Sequence, residues 1–171
     1  MTNLKKNASI ADFKSLSAIA RIEPATLADV APMVRLLTEL FAIEIDFSPN
    51  EQRQTAGLTL MLADTKNRHI LVARINDQVV GMATAQLVVS TAEGGLSAWV
   101  EDVIVDRNFR RIGIGSALLL GIKTWAIEAG AQRMQLLTES VNEHAKSFYL
   151  DNKWGVTDLV CMRTILNPPT G

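Results

Sequence analysis

A glycine-rich turn lies between a strand-like run and a helix-like run in the second half of the chain. Residues 101–120 read EDVIVDRNFRRIGIGSALLL, in which Gly113 and Gly115 occupy alternate positions. Glycines let backbone N–H groups approach an anion closely, and the start of a helix adds partial positive charge where N–H groups lack partners. The spacing therefore predicts a diphosphate-binding turn, although glycines at such a corner can also serve the turn alone.

Two other phosphate-binding motifs fit this turn less well. A dinucleotide-binding βαβ unit prefers glycine or alanine where this chain has Leu118, even though Glu139 follows the next predicted strand like a ribose-binding acid. A Walker loop needs a Gly-Lys-Ser/Thr sequence, which does not follow the turn. The sequence therefore disfavours both a Rossmann domain and a P-loop domain.

The strands ahead of the turn are predicted to be antiparallel. Asn76 and Asp77 separate two β-rich runs, HILVARI and QVVGMATAQLVV, and this spacing is typical of a tight hairpin. Gly94 and Gly95 mark another turn before the strand LSAWVEDVIVD. A short strand ended by Pro24 precedes them all.

A long helix and a crossover follow the turn. The helix over residues 113–129 carries a broad apolar face, whereas Leu120 and Ile127 lie outside that face and fit either core packing or an oligomer contact. A right-handed crossover would place the next strand parallel to the one before the turn. We expect a last helix stopped by Gly155 and one or two closing strands within residues 156–166, which together give an α/β fold.

Composition excludes several classes of protein. The 171 residues include 17 Lys and Arg against 18 Asp and Glu, so the chain has no excess of basic residues that would bind nucleic acid. No apolar run approaches the roughly 18 residues of a membrane helix, so no membrane association is expected. One cysteine, Cys161, and two histidines exclude a disulfide within the chain and a Cys/His zinc cage. A reducing cytoplasmic location fits best.

The first twenty residues differ from the rest of the chain. They contain Lys5 and Lys6 but no sustained apolar core with a small-residue cleavage site, so a secretory signal is not expected. We interpret residues 1–20 as a tail or a short, loosely docked helix and residues 21–171 as the functional domain.

The turn and the elements after it resemble a known family. Arg110-x-x-Gly113-x-Gly115 after a strand, then a helix, a strand and the sequence NEHAKSFYLDNKWG, is similar to the acetyl-CoA site of the GNAT N-acetyltransferase superfamily. The resemblance runs from about residue 22 to residue 166 and includes the opening IEPAT. The last helix also carries the family's pattern, at Asn142, Phe148, Tyr149 and Gly155. One departure is Asp106, which stands where the family commonly has proline.

The resemblance implies a fold and a cosubstrate. It implies a mixed central sheet of about six to seven strands, splayed at the fourth and fifth strands and flanked by about four helices. Acetyl-CoA would bind without a metal, with its pantetheine arm between the splayed strands like an added strand and its diphosphate on the turn. The expected cofactor-binding residues are Val103, Val105, Arg110, Arg111, Ile112, Gly113, Ile114, Gly115, Ser116 and Asn142. Plain core packing for the valines and a plain N-cap for Asn142 are the structural alternatives.

Acetyl transfer to an amine needs a base, and the resemblance implies Glu101. An alkylammonium with a pKa near 10.4 is neutral only about once in 2,500 at pH 7, so a carboxylate beside the thioester would assist by taking the proton directly or through water. Its neighbour Asp102 is the expected substrate-binding charge. A solvated acidic pair without a chemical role is the alternative.

The departing CoA thiolate needs an acid, and Tyr149 occupies the family's usual position for it. A phenol has a pKa about 1.5 units above that of a thiol, so the proton transfer is uphill by about 2 kcal/mol and its contribution should be modest. A half-buried tyrosine with a wet hydroxyl is the structural alternative.

Taken together, these residues predict an enzyme that moves acetyl from acetyl-CoA to a primary amine of a small, cationic molecule. Transfer to a protein N-terminus or lysine, and a sensor that binds acyl-CoA without turnover, stay open as alternatives. A homodimer also stays open through Leu120 and Ile127.

Overall fold

The computed structural model describes residues 20–166, so the predicted tail over residues 1–20 lies, apart from its last residue, outside the described residues. The described chain forms five strands: β1 (Arg21–Pro24), β2 (Arg68–Ile75), β3 (Gln78–Ser90), β4 (Gly95–Val105) and β5 (Ala131–Gln135). It also forms four α-helices: α1 (Val30–Phe41), α2 (Glu51–Leu62), α3 (Ile114–Glu128) and α4 (Glu143–Asp151). The chain divides into two compact units, one up to Leu136 and one from Leu137 onward.

All five strands belong to one mixed sheet in the first unit. The strands follow chain order, β1-β2-β3-β4-β5, with antiparallel pairing from β1 to β4 and parallel pairing between β4 and β5. The α/β class, the mixed sheet and the four helices are therefore confirmed. The hairpin between β2 and β3 is also confirmed, because Asn76 and Asp77 both adopt the left-handed conformation of a tight turn, with φ of 47° and 61°.

The described residues form five strands instead of the six to seven expected. Residues 156–166, predicted to contain one or two closing strands, form no strand in the structure. Their apolar side chains are exposed, with Leu159 and Val160 more than four-fifths accessible. High β propensity describes a residue that fits a pleated, half-buried surface, and without a neighbouring strand to pair with it does not make a strand.

The sheet is covered on both faces. Helices α1 and α2 pack on one face, where Met33, Leu37 and Leu58 contact a cluster that includes Ile70 and Ile104. Helix α3 packs on the other face and approaches β2 closely, because a Cβ at Gly121 would lie 2.6 Å from Leu71 Cδ1. The glycine therefore sets the depth at which α3 sits on the sheet.

The apolar face of α3 is largely as predicted. Ile114, Leu118 and Ile122 are buried against the sheet. Leu120 and Ile127 are 64% and 63% exposed, so of the two alternatives open for them core packing is wrong. At about 100° per residue both point away from the buried face.

Candidate active site

The backbone at the start of α3 has the geometry expected of an anion-binding turn. Arg111 and Gly113 adopt positive φ values of 66° and 90°, and α3 begins directly after Gly113. Gly113 supplies no side-chain cap, so the first N–H groups of a 15-residue helix are left to an outside acceptor. Left-handed residues that alternate with helical ones aim successive N–H groups into a concavity that binds anions. The residues present therefore fit a diphosphate.

The side chains of the turn hold its backbone in place. Ile112 and Ile114 are buried, so they anchor the turn in the core and offer a ligand only backbone groups. Arg110 Nε donates a hydrogen bond of 2.7 Å to the carbonyl of Val105 and ties the turn to the end of β4. Asp106, in the place of the family's proline, donates its N–H to the Val80 carbonyl and accepts from the Asn108 N–H at 2.7 Å. The acidic side chain thus closes a short 3-10 turn that a proline would have shaped through its ring.

Strands β4 and β5 separate beside this turn. Their parallel pairing ends at Trp99 and Gln135, whereas β4 continues to Val105. Val103 and Val105 pair on their other side with Ala83 and Gly81 of β3. No strand of the described residues covers the β5 side of this part of β4, which confirms the splay and leaves an edge that an extended chain can join.

The two carboxylates lie at a β-bulge next to the splay. Ala83 pairs with Val103 and Ala85 with Val100, so Thr84 alone faces both Glu101 and Asp102. Two residues opposite one make a bulge, which leaves a backbone N–H without its ladder partner. The Thr84 hydroxyl supplies the missing acceptor, because Asp102 N–H donates to Thr84 Oγ1 at 3.0 Å.

Sequence reasoning did not single out Thr84. The residue is completely buried, and its hydroxyl also lies 3.3 Å from Asp102 Oδ2, to which it donates. A polar residue inside the apolar run QVVGMATAQLVV is the one trace of it in the sequence. Its position opposite the acidic pair depends on the register of β3 and β4, and a bulge shifts that register.

The environment makes the two carboxylates different. Glu101 is exposed, whereas Asp102 is partly buried. Burial, and to a smaller extent the negative charge of Glu101, raises the pKa of Asp102 to about 6, while the hydrogen bond from Thr84 works in the opposite direction. A partly buried carboxyl with a raised pKa beside an exposed one is an environment typical of functional sites.

Tyr149 and Asn142 belong to the second compact unit, which begins at Leu137. Asn142 is the N-cap of α4, since its Oδ1 accepts from the Ala145 N–H at 3.0 Å, and its contact with pantetheine stays a prediction. The half-buried Tyr149 ring lies between Phe148 and Trp154, with centroids 5.2 Å and 5.8 Å away. Helix α4 ends at Asp151, before Gly155, because Lys153 adopts the left-handed conformation that terminates helices.

Two further properties of residues 20–166 bear on the site. Within residues 20–166, no three or more His, Cys, Asp or Glu side chains are placed to hold a metal ion together. No helix in this part of the chain has the length and apolar character needed to cross a membrane.

Comparison with known proteins gives consistent results. An aminoalkylphosphonate N-acetyltransferase of Salmonella typhimurium is 28% identical over 132 residues, which cover 77% of this chain and 82% of the relative. A possible acetyltransferase from Clostridium difficile superimposes with a TM-score of 0.77 at 22% identity, over 88% of this chain and 99% of the other. An aminoglycoside N-acetyltransferase in complex with CoA gives 0.74 at 15% identity, over 85% and 94%. The two structures show the shared fold.

A match to a family sequence model assigns the chain to its family. The acetyltransferase (GNAT) family model matches residues 35–154, which include the bulge, the splayed edge, the glycine turn and α4. The chain therefore belongs to the GNAT acetyltransferase family and is an acyltransferase that uses acetyl-CoA.

Proposed function

We propose that this protein transfers acetyl from acetyl-CoA to a primary amine of a small cationic molecule, with Glu101 as general base and Tyr149 as general acid. The observation that carries the proposal is the bulge: it places an exposed carboxylate and a partly buried one beside the open edge of β4, directly before the glycine turn. The proposed catalytic domain covers residues 21–171.

The donor is proposed to bind along β4 and the start of α3. The open backbone edge at Val103 and Val105 suits an extended pantetheine arm, which has amide groups like those of a peptide strand. The N–H groups of Arg111, Gly113, Gly115 and Ser116 would hold the diphosphate, helped by the dipole of α3. This arrangement would place the thioester near the bulge.

The reaction then needs one displacement and three proton transfers. Glu101 takes a proton from the substrate ammonium, and the free amine attacks the thioester carbonyl carbon. A C–N bond forms, the C–S bond breaks, and the CoA sulfur leaves as a thiolate that takes the Tyr149 proton. The nitrogen loses its second proton as the amide forms, and that proton restores the Tyr149 hydroxyl through solvent. Direct attack needs no covalent intermediate on the protein.

The charge at the bulge favours a cationic acceptor. Two neighbouring carboxylates attract an ammonium group and repel an anion such as a phosphonate. Among the acceptors named for similar proteins, an aminoglycoside therefore fits this charge better than an aminoalkylphosphonate, and a polyamine fits it equally well. We propose aminoglycosides and polyamines as the acceptor class.

The test is a panel of acceptors with acetyl-CoA, followed by release of CoA thiol. The panel contains polyamines, aminoglycosides, amino sugars, an aminoalkylphosphonate, amino acids and peptides. We expect turnover with polycationic amines and little with the aminoalkylphosphonate. Turnover with peptides alone would establish a protein acetyltransferase, and tight acetyl-CoA binding with no turnover on any amine would establish a sensor.

A further inference from the structure

Thr84 places a hydroxyl group in an otherwise apolar layer. The residue is completely buried on β3, and its partner on β2 is Ile70. Met82 and Ile104, beside it on the same face, belong to the cluster under α1 and α2. A polar group in such surroundings is costly unless its hydrogen bonds are made, and those bonds are strong when they are.

The Thr84 hydroxyl donates one hydrogen bond and accepts another, and both are made with Asp102. Thr84 Oγ1 accepts the Asp102 backbone N–H at 3.0 Å and donates to Asp102 Oδ2 at 3.3 Å. The first bond closes the bulge and the second holds the carboxylate that follows Glu101. One side chain therefore fixes both the backbone and the charge at this point of β4.

We propose that Thr84 is a positioning residue for acetyl transfer: by bonding the backbone and the carboxylate of Asp102, its hydroxyl holds the β4 bulge in the shape that presents Glu101 to the acceptor amine. This inference rests on the proposed function. Precise placement matters because a shift of about 1 Å in a reacting group can cost about a hundredfold in rate.

The electrostatics agree with this role. The bond from Thr84 favours the ionised form of Asp102, whose pKa is raised by burial and by Glu101. The other charged residues on elements packed against β4 are exposed or paired elsewhere: Arg35 and Glu39 on α1, Lys123 and Glu128 on α3, and Arg133 on β5. Loss of the Thr84 hydroxyl would therefore raise the pKa of Asp102 further.

The experiment compares two variants of similar size, Thr84→Val and Thr84→Ser, in the full-length protein. Valine keeps the shape and loses the hydroxyl, whereas serine keeps the hydroxyl and loses a methyl group. The acid limb of the kcat profile should contain the ionisation of Asp102, the second negative charge of the site, as well as that of the base Glu101. With an acceptor that the wild type uses, we expect Thr84→Val to lower kcat about tenfold and to move the Asp102 component of the acid limb up by about one pH unit. We expect Thr84→Ser to retain the wild-type profile, and both variants to keep acetyl-CoA binding.

A double-mutant cycle with Asp102→Asn separates this role from a merely structural one. If Thr84 acts through Asp102, Thr84→Val in the Asp102→Asn background no longer moves the acid limb, and the two losses in kcat are not additive. Should Thr84→Val fail to fold, Thr84→Cys, with its weak S–H donor, serves in the same comparison.

The possible outcomes are distinct. An unchanged profile and kcat in Thr84→Val, equal damage in Thr84→Ser, or additive effects in the cycle would each overturn the role of Thr84 while acetyl transfer stands. If none of the acceptors in the panel makes the wild type release CoA thiol, the proposed function itself is overturned, and the role of Thr84 with it.

Discussion

Glu101 and Asp102 are neighbours in sequence but occupy different environments. The bulge leaves Glu101 exposed to solvent, where an incoming ammonium can reach it, and holds Asp102 against Thr84. Because a base must come within hydrogen-bonding reach of the proton it takes, exposure favours Glu101 for that step. Asp102 is held by Thr84 and adds a second negative charge to the site only above its raised pKa of about 6.

The base assignment predicts a pH-dependent defect. Glu101→Gln keeps the size of the side chain but cannot accept a proton, so we expect acetyl-CoA binding to persist and kcat to fall about a hundredfold near pH 7. The defect should shrink as the pH approaches the pKa of the amine, because free amine then forms without help. Kinetics across pH with wild type and variant measure this. A loss confined to the amine KM and constant with pH would make Glu101 a binding carboxylate.

The acid assignment predicts a smaller effect. Tyr149→Phe removes only the hydroxyl and keeps the ring between Phe148 and Trp154, so the fold and acetyl-CoA affinity should persist. We expect kcat to fall about tenfold to a hundredfold, the low end for general acid catalysis, because the proton transfer is uphill. Phe148→Leu serves as the control for ring packing. Wild-type turnover in Tyr149→Phe would leave the tyrosine with a packing role.

Glycines with similar positive φ values lie on both sides of helix α3, and they offer a matched test of the proposed diphosphate-binding turn. Gly113 and Gly130 have φ values of 90° and 81°, so valine is unfavourable at both. Acetyl-CoA at a hundred times its Kd should stabilise the wild type by about 2.7 kcal/mol. We expect Gly113→Val to abolish this shift in Tm and Gly130→Val to retain it. Equal shifts in both variants would remove the turn from the binding site.

The two faces of α3 predict opposite outcomes for similar substitutions. Leu118 is completely buried and Leu120 is 64% exposed. Leu118→Ala should cost about 2–5 kcal/mol because it removes packed methyl groups and leaves a cavity, whereas Leu120→Ala should change the free energy of unfolding by less than about 0.5 kcal/mol. Urea denaturation of both variants measures this difference. A large loss in Leu120→Ala would show that the exposed face is covered in solution.

The sequence predicted those elements whose signals are local. The glycine turn, the hairpin at Asn76 and Asp77 and the apolar face of α3 follow from residue type and spacing, and all three are present. Thr84 was missed because its importance depends on which residues of β4 it faces, a long-range property of the sheet. The strands expected in residues 156–166 were wrong for a related reason: apolar β-forming residues do not specify the neighbour they need.

At the scale of the whole molecule, Arg74 links strand β2 to strand β1 and to the residues just before helix α1. Arg74 of β2 pairs through Nη2 with Asp29 Oδ1 at 2.7 Å and through Nε with Glu23 Oε1 at 2.6 Å. Asp29 also accepts the N–H and hydroxyl of Thr26 and is only 3% exposed. The entry to α1 and strands β1 and β2 are thus fixed together, and loss of the Arg74 charge would leave the buried Asp29 carboxylate without a cationic partner.

Two aspartates predict how stability varies with pH. Burial acts to raise the pKa of Asp29, but the bonds from Arg74 and Thr26 outweigh it and hold that pKa below 3.8, so its stabilisation exists above about pH 4 and is lost as the pH falls. Asp102 acts in the opposite sense. Its pKa of about 6 means that the folded state binds more protons than the unfolded state between about pH 4 and 6, so stability falls on the order of 2–3 kcal/mol across this range.

The contribution of these two aspartates to the free energy of unfolding should therefore be largest near pH 4–5 and decline on both sides. His69, whose pKa is lowered by burial, contributes stability that grows as the pH rises toward its ordinary pKa of 6.5. Urea denaturation between pH 3 and 8, with wild type, Asp29→Asn and Asp102→Asn, measures each limb separately. We expect Asp29→Asn to be less stable and to flatten the acid limb, because it removes the group that loses its partner there. Asp102→Asn should flatten the decline between pH 4 and 7 and be more stable than wild type at pH 7, because asparagine carries no charge to bury beside Glu101. An Asp102→Asn curve parallel to that of the wild type between pH 4 and 7 would show that Asp102 ionises as easily in the folded protein as in the unfolded chain.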